Sequence, residues 1–184
     1  MTTDNRIRPD MNNNAIPIRV SNAGAVLLWP FLPLYFERCG LAVRDGQFVD
    51  ATASHRAVRL VHLLASGQWA EDETVLPLAK VMCGVALSTV LQPTNAAPTE
   101  QELELNHSLL HAVTQHWDRL RHASIDALRA TFLMRDGRLT QSGAGTAWQL
   151  NVQQTKADFF LSSLPWSFNI IKFVWMPQPV HVQW

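Results

Sequence analysis

Two prolines three residues apart, Pro30 and Pro33, stand inside an apolar block, NAGAVLLWPFLPLYFERCGL (residues 22–41), that carries no charge between Ala23 and Phe36. Proline removes an amide donor and its ring presses on the preceding turn, so a kink or two short helices are expected rather than one continuous helix. Ser21 or Asn22 is placed to cap the start, and Gly40 to end the block in the left-handed conformation. The uncharged run is about fourteen residues, short of the roughly 20 a helix needs to span a bilayer, so no membrane insertion is expected. The polar start MTTDNRIRPDMNNN has no apolar stretch directly behind it, unlike a secretory signal, and a cytoplasmic chain is expected. The block has an echo at the far end, LPWSFNIIKFVWMPQPVHVQW (164–184).

At 184 residues the chain is long enough for one ordinary domain. Its 15 lysines and arginines balance 15 aspartates and glutamates, so no global field favours nucleic acid. Seven tryptophans are many for this length. They imply either a tryptophan-rich core or an aromatic surface that meets a partner. The two cysteines, Cys39 and Cys83, have no neighbour at metal or redox spacing and read as buried reduced thiols.

Residues 1–19 read as a flexible lead, because Asn12–Asn14, Pro9 and Pro17 discourage helix and little is available to bury. Residues 20–184 read as a single globular domain. From Ser54 to Ala65, Ala57, Leu60, Val61 and Leu64 share a helical face with His55, Arg59 and His62 opposite, and Gly67 stops the helix. Leu76–Val85 reads as a short buried helix with Pro77 in its first turn and Gly84 near its end. Thr99 and Glu102 form a capping box for a further helix, along which Leu103, Asn106, Leu110, Val113, Trp117 and Leu120 make one stripe. Ser124 caps another that buries Ile125, Leu128 and Phe132 and ends by Gly137. After this the period changes to two. Arg138–Gln141 and TAWQLNVQ read as a hairpin, and Phe168–Trp175 and Val180–Trp184 as further strands. The fold class expected is α+β, with helices over about 22–135 packed on a small, mainly antiparallel sheet over about 138–184.

The search for catalytic chemistry returns little. Glu104, His107 and His111 fall at i, i+3 and i+7 on one helix, where they could converge on a metal, but not in the HExxH pattern, and no specific fourth ligand is evident. A solvated helix face is the plainer reading. No nucleophile elbow, phosphate loop or dinucleotide fingerprint occurs. No catalytic residue, cofactor or metal is assigned. The aromatic residues Trp29, Phe31, Phe36, Trp166, Trp175 and Trp184 are the candidates for partner contact, with core packing as the alternative for each. An alternating strand that ends on Trp184 implies that this terminus is docked on something.

Taken in order, NAGAVLLWPFLPLYFERCGL, RAVRLVHLLASG, LPLAKVMCG, HW at 116–117, ALRATFLMRDGRL and the closing LPWSFNIIKFVWMPQPVHVQW resemble the tape-measure proteins of contractile injection systems, phage-tail-like particles that drive a tube through a contracting sheath. Asn22, Gly24, Lys80, Gly84, Trp117, Arg129 and Gly137 are among the residues that carry the likeness. Ala79 and Ala86 depart from it, standing where the family pattern has asparagine and proline. The resemblance implies a structural, nonenzymatic role in assembly, inside the inner tube and at the baseplate hub and spike. It also implies partners among those proteins or a longer tape-measure chain, and a final location inside the particle. Self-association is compatible with it. A ruler needs extended chain, and even wholly helical 184 residues reach only about 280 Å. A tape-measure-type protein, or for a compact chain of this kind its anchoring module, is therefore the expectation, with a small metal-binding protein or hydrolase built on Glu104, His107 and His111, or an adaptor that loads cargo into the particle, as the alternatives.

Overall fold

The apolar block divides at its prolines. The computed structural model describes residues 16–41, 47–93, 96–143 and 145–184, and in it Ala23–Phe31 winds as a 3-10 helix that leads into helix α1, Leu32–Arg38, with Pro33 in the first turn. Tight 3-10 turns have poorer hydrogen-bond geometry and seldom run beyond three or four residues. This longer one is held by burial, complete from Ala23 to Leu28. Gly40, at φ 73°, ends α1 as expected. Asn22 does not cap by its side chain. It is buried, with its Nδ2 3.4 Å from His62 Nδ1.

Helix α2, Ala51–Ser66, starts where Asp50 accepts a bond from the Ala53 amide at 2.7 Å and stops at Gly67, φ 74°. Every residue from Ala57 to Ala65 is buried, so α2 is the central helix of the core rather than an amphipathic surface helix. Arg59 and His62, expected outside, lie inside. The chain from 68 to 92 covers their face, and Arg59 donates to the carbonyls of Ala70 (2.8 Å) and Gln92 (3.2 Å).

Around α2 pack α3 (Pro77–Met82) and α4 (Glu100–His116), and the short α5 (Ile125–Leu128) packs on α4. The capping box at Thr99 and Glu102 forms as the sequence requires. The α4 stripe is buried at Asn106, Leu110, Val113 and Trp117, with Leu120 buried in the short turn that follows, but not at Leu103, which lies half in solvent at the first turn. Leu109 is buried in addition. After α5 the chain opens into one π turn, Arg129–Leu133, with the Met134 amide bonded to the Arg129 carbonyl at 2.8 Å.

Five strands follow the order β1-β2-β3-β5-β4: β1 Ile18–Val20, β2 Gly137–Gln141, β3 Trp148–Val152, β4 Ile170–Ile171 and β5 Val180–Gln183. All neighbours are antiparallel except β3 and β5. The expected hairpin and final strand form. The sheet also recruits Ile18 and Arg19, two residues before the expected start of the fold; the rest of the lead up to residue 15 lies outside the described residues. Of the strand expected over 168–175 only Ile170–Ile171 pairs. The alternation of burial persists through Phe173 and Trp175, which face inward and stack at 4.5 Å, but the backbone turns there, with the Met176 amide bonded to the Phe173 carbonyl at 3.1 Å, and pairs with no strand. Lys156–Ser163, an additional 3-10 helix, lies in the crossover between the parallel strands.

The two turns of backbone that meet at Gly24 fix how the sheet and helices join. The Ala23 amide bonds to the Arg135 carbonyl at 2.9 Å, and a methyl group on Gly24 would sit 1.7 Å from the Phe132 carbonyl oxygen in the π turn. Backbone cannot rotate away as a side chain can. Gly24→Ala is expected to cost more than about 3 kcal/mol in urea unfolding, whereas Gly40→Ala, at positive φ but with nothing within 4 Å, costs about 1–2 kcal/mol.

Candidate functional site

Five of the six aromatic candidates fall into two clusters, and the sixth, Trp184, packs apart from both. In the first, the Trp29 indole donates to the Ser167 carbonyl at 2.7 Å, while the Trp166 indole donates to the Leu27 carbonyl at 3.0 Å. Phe31 meets Trp166 edge-on at 5.2 Å and His116 at 6.0 Å. All three aromatics are half-buried. In the second, Phe36 and Trp175 are core residues, 5.9 Å apart, and the Trp175 indole donates to the Met82 carbonyl at 3.0 Å. Trp184 docks within the chain. Its ring lies 5.3 Å under the Arg135 guanidinium and 5.6 Å from Phe168. What the outer face of the first cluster offers is a shallow groove between α1 and α4, lined by Pro30, Phe31, Leu34, Tyr35, Arg38, Leu105, Ser108, Leu109 and Ala112, about 170 Å³ in volume. Leu34 is 53% exposed there, which makes it an apolar side chain without an internal partner to justify it.

Glu104, His107 and His111 do not form a centre. All three side chains are exposed on α4, the two imidazoles run parallel at 6.5 Å, and among the described residues no group of three histidine, cysteine or acidic side chains is close enough to hold a metal. Burial pushes the Cys83 thiol far above its ordinary value and Cys39 up to about 11, which suits inert packing for both.

The polar groups that sequence reasoning missed are cations that are buried or half-buried. Lys80 is buried and donates to Glu73 Oε2 at 2.5 Å and to the Thr89 carbonyl at 2.8 Å, while Glu73 Oε1 accepts from the Leu91 amide at 2.8 Å. Arg56 forks onto both oxygens of Glu102, which also accept from the Thr99 amide. Arg135, buried, forks onto Asp158 at 2.7 and 3.2 Å. Arg129 donates to the Leu64 carbonyl at 3.1 Å, near the end of α2. The only sequence signal for these roles was Lys80 inside an apolar helix and Arg59 opposite an apolar face. Their function is to hold irregular chain against the core.

Residues 3–184 match the family model described as contractile injection system tape measure protein. The chain belongs to this family. No curated protein and no solved structure matches it. Membership in the tape-measure family carries a structural role, in a particle whose other proteins are this chain's partners. No helix among the described residues is long and apolar enough to cross a membrane. For this family member the residues that carried the resemblance have physical duties in the fold. Gly24 admits the π turn, and Gly84, at φ 69°, leaves room for the Trp175 carbonyl, from which a methyl would be only 2.3 Å away. Trp117 is fully buried and donates to Ser163 Oγ at 2.9 Å. Arg129 and Lys80 make the ties described above.

The buried groups set the response to pH. For Glu102 and Asp158 burial works to raise the carboxyl, but the bonds from Arg56 and the Thr99 amide, and from Arg135 and the Thr155 amide, outweigh it and hold both below the ordinary range. Burial lowers His62, and burial with the Arg59 charge lowers His55. A depressed histidine takes up its proton more readily in the unfolded chain, so its contribution is nil above about pH 6.5 and becomes destabilising as pH falls below it. The depressed carboxylates stabilise above about pH 4.5, and that stabilisation is lost on further acidification. The urea midpoint should therefore be flat from pH 8 to about 6.5, decline below that, and fall more steeply under about pH 4.5. A midpoint that rises between pH 6.5 and 5 contradicts this assignment.

Proposed function

We propose that this chain is a nonenzymatic assembly component of a contractile injection particle, made in the cytoplasm and engaged inside the inner tube or at the baseplate hub, where it acts as an anchoring module. The supporting observation is the family match over residues 3–184 in a chain whose longest helix among the described residues, α4, has 17 residues and spans only about 26 Å. Length has to be measured by extended chain. Short helices folded over a sheet suit a module that holds one end of a longer tape, or of the tube, in place. Residues 20–184 serve as one unit in this reading, because the aromatic ends of the sequence pack on each other.

Contact with the partner is made at the α1–α4 groove, where Phe31 and Leu34 face outward beside the Trp166 ring. The lining is carbon-rich and Arg38 is its only charged residue, so the occupant is an apolar anchor from another particle protein with a carboxylate placed to meet Arg38. Phe31 and Trp166, and Trp29 at the margin, keep the partner-contact role. Phe36 and Trp175 are enclosed by the core, and Trp184 by Arg135 and Phe168, so these three act by shaping the fold.

Particles from cells lacking only this chain, viewed beside a complemented strain, should be missing or of dispersed tube length. Normal particles of normal length would refute the assembly role. In the complemented strain, Leu34→Asp should leave stability within about 0.5 kcal/mol, since the site is at the surface, yet reduce the chain's incorporation into particles. Unchanged incorporation would move the contact away from the groove.

A further inference from the structure

The strand register puts Arg19 of β1 and Arg138 of β2 directly opposite each other. Both side chains are on the outer, exposed face of the sheet. Directly opposed side chains on antiparallel strands have Cβ atoms only about 4.5–5.5 Å apart, and like charges in that position destabilise the pair. Neither arginine has an ion-pair partner within 4 Å among the described residues. The row continues across the sheet with Asn151 and Gln183, also exposed. The adjacent row on the same face, Thr140, Gln149 and His181, adds hydrogen-bonding groups and no carboxylate. Arg19 and Arg138 both line a hollow of about 590 Å³ that includes residues of β1, β2 and β3. One carboxylate, Asp136, lies at its rim two residues before Arg138 and leaves the pair with a net positive charge.

We propose that this face is a second docking site, selective for an acidic, extended protein segment whose carboxylates are gripped by Arg19 and Arg138. Guanidinium is the group suited to this task, because its planar fork matches a carboxylate with two parallel bonds. An incoming carboxylate also removes the repulsion that the free protein tolerates, so the binding free energy includes relief of that repulsion. The amides of Asn151 and Gln183 then offer bonds to the main chain or side chains of the same segment. Nucleic acid is the less suitable occupant. The outward positions of the paired strands hold no phenylalanine, tyrosine or tryptophan ring on which a base could stack, only the single imidazole of His181, and the chain as a whole has no net positive charge. The site is on the opposite side of the sheet from the helices and does not depend on the groove at Leu34 or on the particle role.

The test is fluorescence anisotropy of a labelled hexaglutamate peptide with the full chain at low salt. Binding should be measurable, should weaken as salt is added, and should fall by at least about ten-fold in R19Q/R138Q. A second double variant with the same change of charge at exposed positions elsewhere, R119Q/K156Q, should bind as the wild type does. R138Q alone should unfold at equal or higher urea concentration than the wild type, because it removes one of two opposed charges. No binding by the wild type, equal loss in both double variants, tighter binding of an oligothymidylate than of the peptide, or a clear loss of stability in R138Q would each overturn the proposal.

Discussion

The rest of the structure depends on a reciprocal clasp between two tryptophans that are far apart in sequence. Trp29 donates its indole proton to the backbone at Ser167, and Trp166 donates its own to the backbone at Leu27. Each indole thus finds the acceptor it needs in the other's segment, and the rings pack on further aromatics, Trp29 on Phe173 and Trp166 on Phe31. Tryptophan combines a large apolar area with one donor, so it packs well only where a partner for that donor is supplied. Here the 3-10 geometry of Ala23–Phe31 has the Leu27 carbonyl free to accept. The prolines therefore do more than break a helix. They produce the backbone onto which the C-terminal aromatic segment locks.

A second constraint follows from placing α2 at the centre. A helix buried over nine consecutive residues, Ala57 to Ala65, must satisfy any polar side chain it carries, and this one carries Arg59 and His62. Arg59 does so by collecting carbonyls from two stretches of irregular chain. Lys80 repeats the device from α3, reaching Glu73 and the carbonyl of Thr89. Breaking a buried ion pair by removing one partner costs several kcal/mol. These cations are therefore the reason that the loop over residues 85–93, which has no regular structure, is nonetheless fixed against the core.

Much of the local structure was legible in the residues. Pro30 with Pro33, the Thr99 and Glu102 capping box, Gly67 as a helix stop, and the period of two in 148–152 each act through near-neighbour chemistry, and each is found where that chemistry puts it. The face of α2 was not legible. Whether Arg59 faces water depends on chain ten and more residues away folding back over it, and helical periodicity holds no information on that. The same holds for 168–175, where the period of two persists in the burial but the backbone turns at Phe173–Met176 in place of pairing as a longer strand. The recruitment of Ile18 and Arg19 depends on an edge of β2 that is more than a hundred residues distant. Of the site candidates, the aromatic residues stand out in the sequence as candidates for partner contact, but the internal contacts that they make needed tertiary structure to see. The groove at Leu34 had no sequence signal, since an exposed leucine resembles a buried one in any linear pattern.

These features describe a chain whose signature residues serve the fold, as suits a structural member of the tape-measure family. The claim on which this rests is that the aromatic ends are engaged with each other in the free protein. Exchange of the indole protons, followed by NMR on chain labelled with nitrogen-15 at tryptophan, tests it most directly. The Trp166 and Trp175 protons, bonded to the carbonyls of Leu27 and Met82, should persist long after those of Trp69 and Trp148, which make no hydrogen bond among the described residues. Loss of the Trp166 signal as fast as those two, with that of Trp175 retained, would contradict the clasp and return Trp166 to the list of surfaces awaiting a partner.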